Sequence, residues 1–412
     1  METIFERAAG LDVHKAQVTA CVRLPGQTSE REEHLAEFAT TVRGLMALRD
    51  WLEAHRVTHV AMEATGVYWQ PVWHMLEEAF ELTLCNARHV KQVPGRKTDV
   101  SDAAWLCQLM EAGLLRGSFV PPKPQRALRT LTRYRKTQIQ ERQREANRLH
   151  KALEDTGIKL DCVATHILGK SGREMLDALV AGTTDPEVLA ELAKGKLRKK
   201  IPALREALEG RFEPHHALVI GAILEHLDFL DERIDRLSDA IEEQLGPFAP
   251  GVKLAATITG VAERTGQAMV AELGTDMTRF PTPGHLASWA GRCPGNDQSA
   301  GKRRSGTTRK GSKWLRVALE EAALAATRTK DSYLQAQYQR LRPRRGHRRA
   351  LVAVQHSMLV AYWHMFTTGE AYRDPGGDYY RKRDPERQTR RLVAQLEALG
   401  QKVTLEPLPQ AA

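Results

Sequence analysis

A chain of 412 residues has room for about two or three domains, each with a core of its own. Lys and Arg number 61 against 51 Asp and Glu, a net charge of +10 with a pI near 9.4, which points to a polyanionic partner, nucleic acid first. The richest apolar run, 351–366, is broken by Gln355, His356 and His364, and the start carries Glu2, Glu6 and Arg7 instead of an apolar leader, so a cytoplasmic protein without a membrane partner is expected.

Leu11 and Val13, then Val18, Ala20 and Val22, alternate around a short polar turn and predict a hairpin. Asp12 falls inside the first strand, where Asp is disfavoured, which makes it a stronger functional candidate than a loop acid. Residues 31–40 predict a third strand, and 41–54 a helix with Leu45, Leu48, Trp51 and Leu52 on one face. A short strand over 57–63 ends at Glu63, Gly66 breaks it, 67–80 reads as a helix and 82–86 as a buried strand. A basic loop (Arg88, His89, Lys91, Arg96, Lys97) leads into a helix for which Thr98 is the candidate N-cap. Asp99 and Asp102 then lie three apart on one face of its first turn, where acids also suit the helix dipole with no metal at all. This order gives an α/β pattern with a mixed sheet. Were Asp12, Glu63, Asp99 and Asp102 to converge at one sheet edge, they would suit Mg²⁺, a hard cation that takes oxygen ligands, and a metal pair there would bracket a phosphodiester.

The segments Gly10-Leu11-Asp12-Val13-His14-Lys15, Met62-Glu63-Ala64-Thr65-Gly66-Val67-Tyr68-Trp69 and Lys97-Thr98-Asp99-Val100-Ser101-Asp102-Ala103 occur in that order. They resemble the RuvC-like, RNase-H-fold domain of the DEDD transposases, insertion-sequence recombinases of the IS110 family and relatives of the Piv DNA invertase. The resemblance implies that Asp12, Glu63, Asp99 and Asp102 form an acidic tetrad that holds Mg²⁺.

Pro121, Pro122 and Pro124 predict an extended connector. Residues 126–155 read as a long helix with nine basic residues against four acids, either a solvated face or a helix that tracks phosphates. Between 157 and 215 short helical pieces carry no evident chemistry, and His215-His216 reads as surface or packing because adjacent helical residues do not face one site. Ile223, Leu227, Leu230, Ile234, Leu237 and Ile241 form a short heptad seam whose partner is either the preceding helix or another protomer. The five cysteines lie far apart, with no CxxC and no Cys/His ligand spacing, as expected of reduced thiols rather than a zinc site.

Residues 257–274 resemble a helix-hairpin-helix element, whose tight turn at Gly260 would aim backbone N–H groups at phosphate. Residues 292–311 then carry six cations (Arg292, Lys302, Arg303, Arg304, Arg309, Lys310) and one acid, Asp297, among glycines, as a flexible loop that contacts DNA would. This segment resembles the C-terminal transposase domain of the same family, in which a serine attacks DNA and holds it as a phosphoserine ester. The matching position is Ser299, with Ser305 as the second choice. Six arginines within 340–349 form a nucleic-acid clamp or a solvated loop, and 351–366 a buried helix.

The expected layout is therefore multidomain α/β plus α: a RuvC-like domain over 1–120, a basic helix and coiled coil over 121–250, a mostly helical transposase domain over 251–370, and a charged tail over 371–412. By resemblance the chain is a DNA transposase or recombinase guided by a structured RNA, acting on donor and target DNA as a dimer or tetramer, its two halves brought together. The alternatives are a metal-dependent junction nuclease that uses water, and a nucleic-acid-binding protein with a decayed site.

Overall fold

Along β1 (Ala8–Val13), Ala9, Leu11 and Val13 alternate with Ala8, Gly10 and Asp12, so one face carries the larger apolar side chains and the other the small ones. The computed structural model describes residues 3–26, 31–94, 101–294 and 297–406, in two compact units, Met1–Pro121 and Pro122–Ala412. In the first unit β1 pairs antiparallel with β2 (Gln17–Pro25), which pairs antiparallel with β3 (Arg31–Ala39). On its other side β1 runs parallel to β4 (His59–Glu63), and β4 to β5 (Glu81–Cys85), giving the order β3-β2-β1-β4-β5.

The helices α1 (Val42–Ala54), capped by Thr41, and α2 (Trp69–Leu76) cover the apolar face, where Leu45, Leu48, Leu52, Val72 and Leu76 join Leu11, Val60 and Met62. After the short α3 (Ala87–Gln92), α4 (Asp102–Glu111) covers the opposite face, packing on Ala8, Cys21, Ala61 and Cys85. Small residues in that row let the helix come close. A Cβ on Gly10 would lie 2.2 Å from the Ala103 carbonyl oxygen and 2.4 Å from the Cys107 nitrogen. The cap of α4 differs from the expected Thr98: Ser101 holds extended backbone angles and its side chain accepts from the Ala104 N–H, so Asp102 is the first helical residue. Asp99 and Thr98 lie outside the described residues.

In the second unit α5 (Lys123–Thr156) begins one residue after Pro122, with Pro124 in its first turn, where a missing N–H leaves no helical hydrogen bond unmade. The prolines thus open this helix as well as ending the segment before it. A small helical group follows, α6 (Leu160–Val163), α7 (Lys170–Val180), α8 (Pro186–Glu191) and α9 (Ile201–Leu208). Then α10 (Pro214–Leu245) returns antiparallel along α5, with Glu145 beside His226, Arg142 on Asp231 and Arg135 on Ser238. Ile223, Leu227, Leu230, Ile234 and Ile241 are buried along this contact, so the seam seen in α10 has its partner within the chain. The matching side of α5 is largely polar (Thr132, Arg135, Gln138 and Glu145 are buried), which hid it from an apolar-period reading.

The remaining helices are α11 (Ala249–Ala255), α12 (Glu263–Leu273), α13 (Pro283–Trp289), α14 (Lys313–Ala326), α15 (Tyr333–Arg345), α16 (His347–Thr368), α17 (Tyr379–Lys382) and α18 (Pro385–Ala398). Their core is centred on the fully buried Tyr362, whose hydroxyl donates to the Gly274 carbonyl at 2.7 Å. The expected flexible loop at 292–311 contains a two-stranded ladder, β6 (Asp297–Ser299) and β7 (Lys302–Ser305). Among the described residues no helix is long and apolar enough to cross a membrane.

Candidate active site

Leu11 of β1 lies opposite Met62 of β4, so one step further along the parallel pair Asp12 comes beside Glu63. Both continue the small-residue rows (Gly10 before Asp12, Ala61 before Glu63) and share the face covered by α4. They also stand at the carboxyl ends of their strands, where open α/β sheets hold ligands. Asp102 begins α4, directly before the Ala103 carbonyl that presses on Gly10, so the helix N-terminus is aimed at this edge. Its dipole offsets part of the repulsion among the carboxylates. Asp12 and Glu63 are thus neighbours on the sheet, Asp102 starts the helix that covers their face, and Asp99 lies outside the described residues.

Two neighbours of this edge were not anticipated. His14 Nε2, one residue past the end of β1, lies 3.1 Å from Asp12 Oδ2, a spacing visible in the Asp-Val-His triplet. Cys85 stands opposite Glu63 on β5, and its thiol is pushed up to about 12 by burial first and by the Glu63 charge second. A neutral thiol there adds no charge to the edge. The donors are carboxylate oxygens on two strands and a helix start, the chemistry a hard divalent cation takes, with the Asp12 side chain 29% exposed. Among the described residues, however, Asp12, Glu63 and Asp102 do not bring three ligand atoms within 4.8 Å of one another.

Among the described residues the one group of three ligand-type atoms within 4.8 Å of one another comes from Glu213, His215 and His216. His216 is already engaged there: Nδ1 accepts from the Glu213 backbone N–H in a capping box, and Nε2 faces Asp155 at 3.4 Å. The pair of histidines serves the start of α10.

In the second unit Ser299 closes β6 opposite Lys302 of β7, and the two flank a turn of Ala300 (φ 48°) and Gly301 (φ 75°). Positive φ at both turn residues matches the strand twist, although a non-glycine residue there costs about 1 kcal/mol. Arg303 and Arg304 run along β7, while Lys302, Arg309 and Lys310 are exposed. Arg292 departs from the expectation of a solvent-facing cation. It is 7% exposed, donates to Gln355 Oε1 at 3.1 Å, and is held below the usual guanidinium range by burial and by the nearby Arg316.

The long basic helix also reads differently in three dimensions. Arg133 forms a bidentate pair with the buried Glu272 (2.6 and 2.9 Å), and Arg129 donates to the Ala271 carbonyl at 2.8 Å. Burial lowers Arg129 to about 10, against the pull of Glu272. Arg135 donates to Gln267 at 2.7 Å, Lys136 pairs with Glu321, and Arg142 with Asp231. These cations fasten α5 to α10, α12 and α14. Gly260 likewise has a packing role: a Cβ would meet the Ala322 carbonyl oxygen at 2.4 Å, so the turn between α11 and α12 rests on α14.

Comparison with known proteins agrees with this mixed sheet. Residues 9–158 match the transposase family of the DEDD, IS110 type, and residues 252–339 match the transposase IS116/IS110/IS902 family. A Sinorhizobium fredii protein assigned as a transposase, y4pF/y4sB, is 27% identical over 334 residues, spanning 78% of this chain and 76% of its own. The chain is an enzyme of the transposase class, and transposases bind DNA. More narrowly, it carries IS110-family transposase domains in both units, the RuvC-like DEDD domain fitting the mixed sheet of the first.

Proposed function

We propose that the protein cuts and rejoins DNA strands of an insertion sequence through a serine–DNA intermediate. The observation that carries the reading is the register that sets Asp12 beside Glu63 at the carboxyl ends of parallel strands, under the start of α4 with Asp102. With Asp99 these acids hold Mg²⁺, which when bound supplies charge stabilisation at the phosphodiester. Asp12 is oriented by His14, and α4 keeps Asp102 at the edge through the close approach at Gly10.

Ser299 is the assigned nucleophile. Its Oγ bonds to phosphorus as the bond from phosphorus to the leaving strand's oxygen breaks, and the serine proton ends on the released hydroxyl. Attack by that or another strand's hydroxyl reverses the step and reseals the DNA. Lys302, Arg303, Arg304, Arg309 and Lys310 neutralise phosphates around the hairpin, while Arg292 is turned inward onto Gln355. A structured guide RNA that pairs with donor and target DNA, and self-association into a dimer or tetramer, complete the proposal and agree with the basic composition.

The test is a covalent adduct trapped on a denaturing gel. Wild type should form it and Ser299→Ala should not. An adduct in Ser299→Ala that disappears in Ser305→Ala would move the nucleophile to Ser305, and cleavage without any adduct would favour hydrolysis by water. RNA that copurifies with the protein should contain segments complementary to the element's ends, and its absence would remove the guided part of the reading.

A further inference from the structure

A cleft of about 880 Å³ opens in the second unit between α15, α16 and the chain on either side of the β6–β7 hairpin. Its size is that of a small-ligand pocket. Pro294, Leu341, Val352 and Ala353 provide apolar walls, Arg345, Arg348 and Arg349 stand exposed at its rim, and among the described residues no acid lines it.

Three buried polar atoms without a hydrogen-bond partner belong to side chains that line this one cleft: Arg292 Nε, Gln337 Oε1 and His356 Nδ1. Two of those side chains are pinned at their other ends, Arg292 on Gln355 at 3.1 Å and Gln337 on Ser357 at 2.9 Å. Unmet buried donors and acceptors are costly, and three lying beneath the surface of one cleft mark a place where a ligand, met by a turn of these side chains, completes the bonding. A donor, an acceptor and an imidazole nitrogen between apolar walls are suited to the edge of a planar heterocycle, and the arginines at the rim to a phosphate beside it.

We propose that this cleft takes one unpaired nucleotide from the DNA, its base seated against Gln337 and His356 and its phosphate among Arg345, Arg348 and Arg349. DNA is the occupant because Gly306, Thr307 and Thr308 of the cleft wall follow β7 directly, in the hairpin assigned to strand cleavage. The inference rests on that assignment only for the choice of strand. Extruding a base beside the cut site would hold the strand in register and keep the duplex from closing while its ends are exchanged.

Binding of the full chain to three duplexes tests this: fully paired, with a one-nucleotide bulge, and with the same bulge made abasic. The last two share their phosphates and differ only in the base. Wild type should prefer the nucleotide bulge over the abasic one by ~10-fold. Gln337→Met and His356→Ala should each reduce that preference toward one while leaving affinity for paired duplex unchanged. Arg349→Ala should weaken all three duplexes and lower the salt slope by about 1. Equal binding of the two bulges by wild type, a preference that survives in both Gln337→Met and His356→Ala, or a preference seen only when the bulge is RNA would each overturn the proposal. The assay needs no cleavage, so a base preference kept in Ser299→Ala upholds the cleft even if the adduct experiment fails. Failure to bind any DNA would overturn both.

Discussion

The acidic edge of the first unit and the basic cleft of the second are built by opposite means. Backbone ladders fix the edge: strand register sets Asp12 beside Glu63, and a single glycine lets α4 descend on them. Side-chain packing fixes the cleft, whose polar atoms come from α15, α16 and Arg292, with Arg292 and Gln337 each held by one contact to a neighbour. Like charges gather at both, but the edge concentrates them on rigid strands, while the cleft keeps its arginines on an exposed rim. A cation site needs fixed donors at short range, and a nucleotide site tolerates long, adjustable cations around a shaped floor.

Removing a carboxylate from the edge should have the largest effect. Asp12→Asn and Glu63→Gln keep the size of the side chain and remove its charge, so strand cleavage should fall ~1000-fold with the melting temperature nearly unchanged. Retention of most activity in both variants would place the chemistry elsewhere. Next comes the interior of the second unit, where Glu272 is 2% exposed and receives Arg133 and the Ser312 hydroxyl (2.9 Å), with Arg129 alongside. Glu272→Ala removes the buried carboxylate between Arg129 and Arg133 and should cost about 3–5 kcal/mol in denaturant unfolding. A loss under 1 kcal/mol would mean that solvent already compensates these cations. Gly10→Ala drives a methyl into the Ala103 carbonyl, for about 1–3 kcal/mol. If α4 positions Asp102, cleavage should fall in this variant even at temperatures where it stays folded.

How much of each region can be read from sequence follows from the same contrast. Strand alternation and the misfit of Asp12 within a strand are local signals, so the order of the first unit and the neighbourhood of Asp12 and Glu63 were legible. The start of α4 was misplaced because Thr98 and Ser101 are both good caps three residues apart, and only tertiary packing on Gly10 selects the second. The cations of α5 misled in another way, because their partners Asp231, Gln267, Glu272 and Glu321 are far away in the chain. The cleft left no trace in the sequence, since its polar floor joins positions from 292 to 356 on separate elements.

The smallest effect separates the cleft from the edge by its response to protons. Burial holds the His356 imidazole below its ordinary 6.5, and the cations lining the same cleft do nothing to favour a second positive charge. The unfolded chain therefore binds the proton more readily, so the stability that neutral His356 contributes is fully present above pH 6.5 and is lost as pH falls below it. Melting temperature should drop modestly from pH 7.5 to 5.5, and less in His356→Gln, which has no proton to gain. With a nucleotide in the cleft the sign reverses. A phosphate among the arginines raises His356 again, so preference for the bulged over the fully paired duplex should strengthen over the same interval in which the free protein weakens. Preference and stability falling together with pH would mean that no phosphate approaches His356, and the cleft would then lose its claim to a nucleotide.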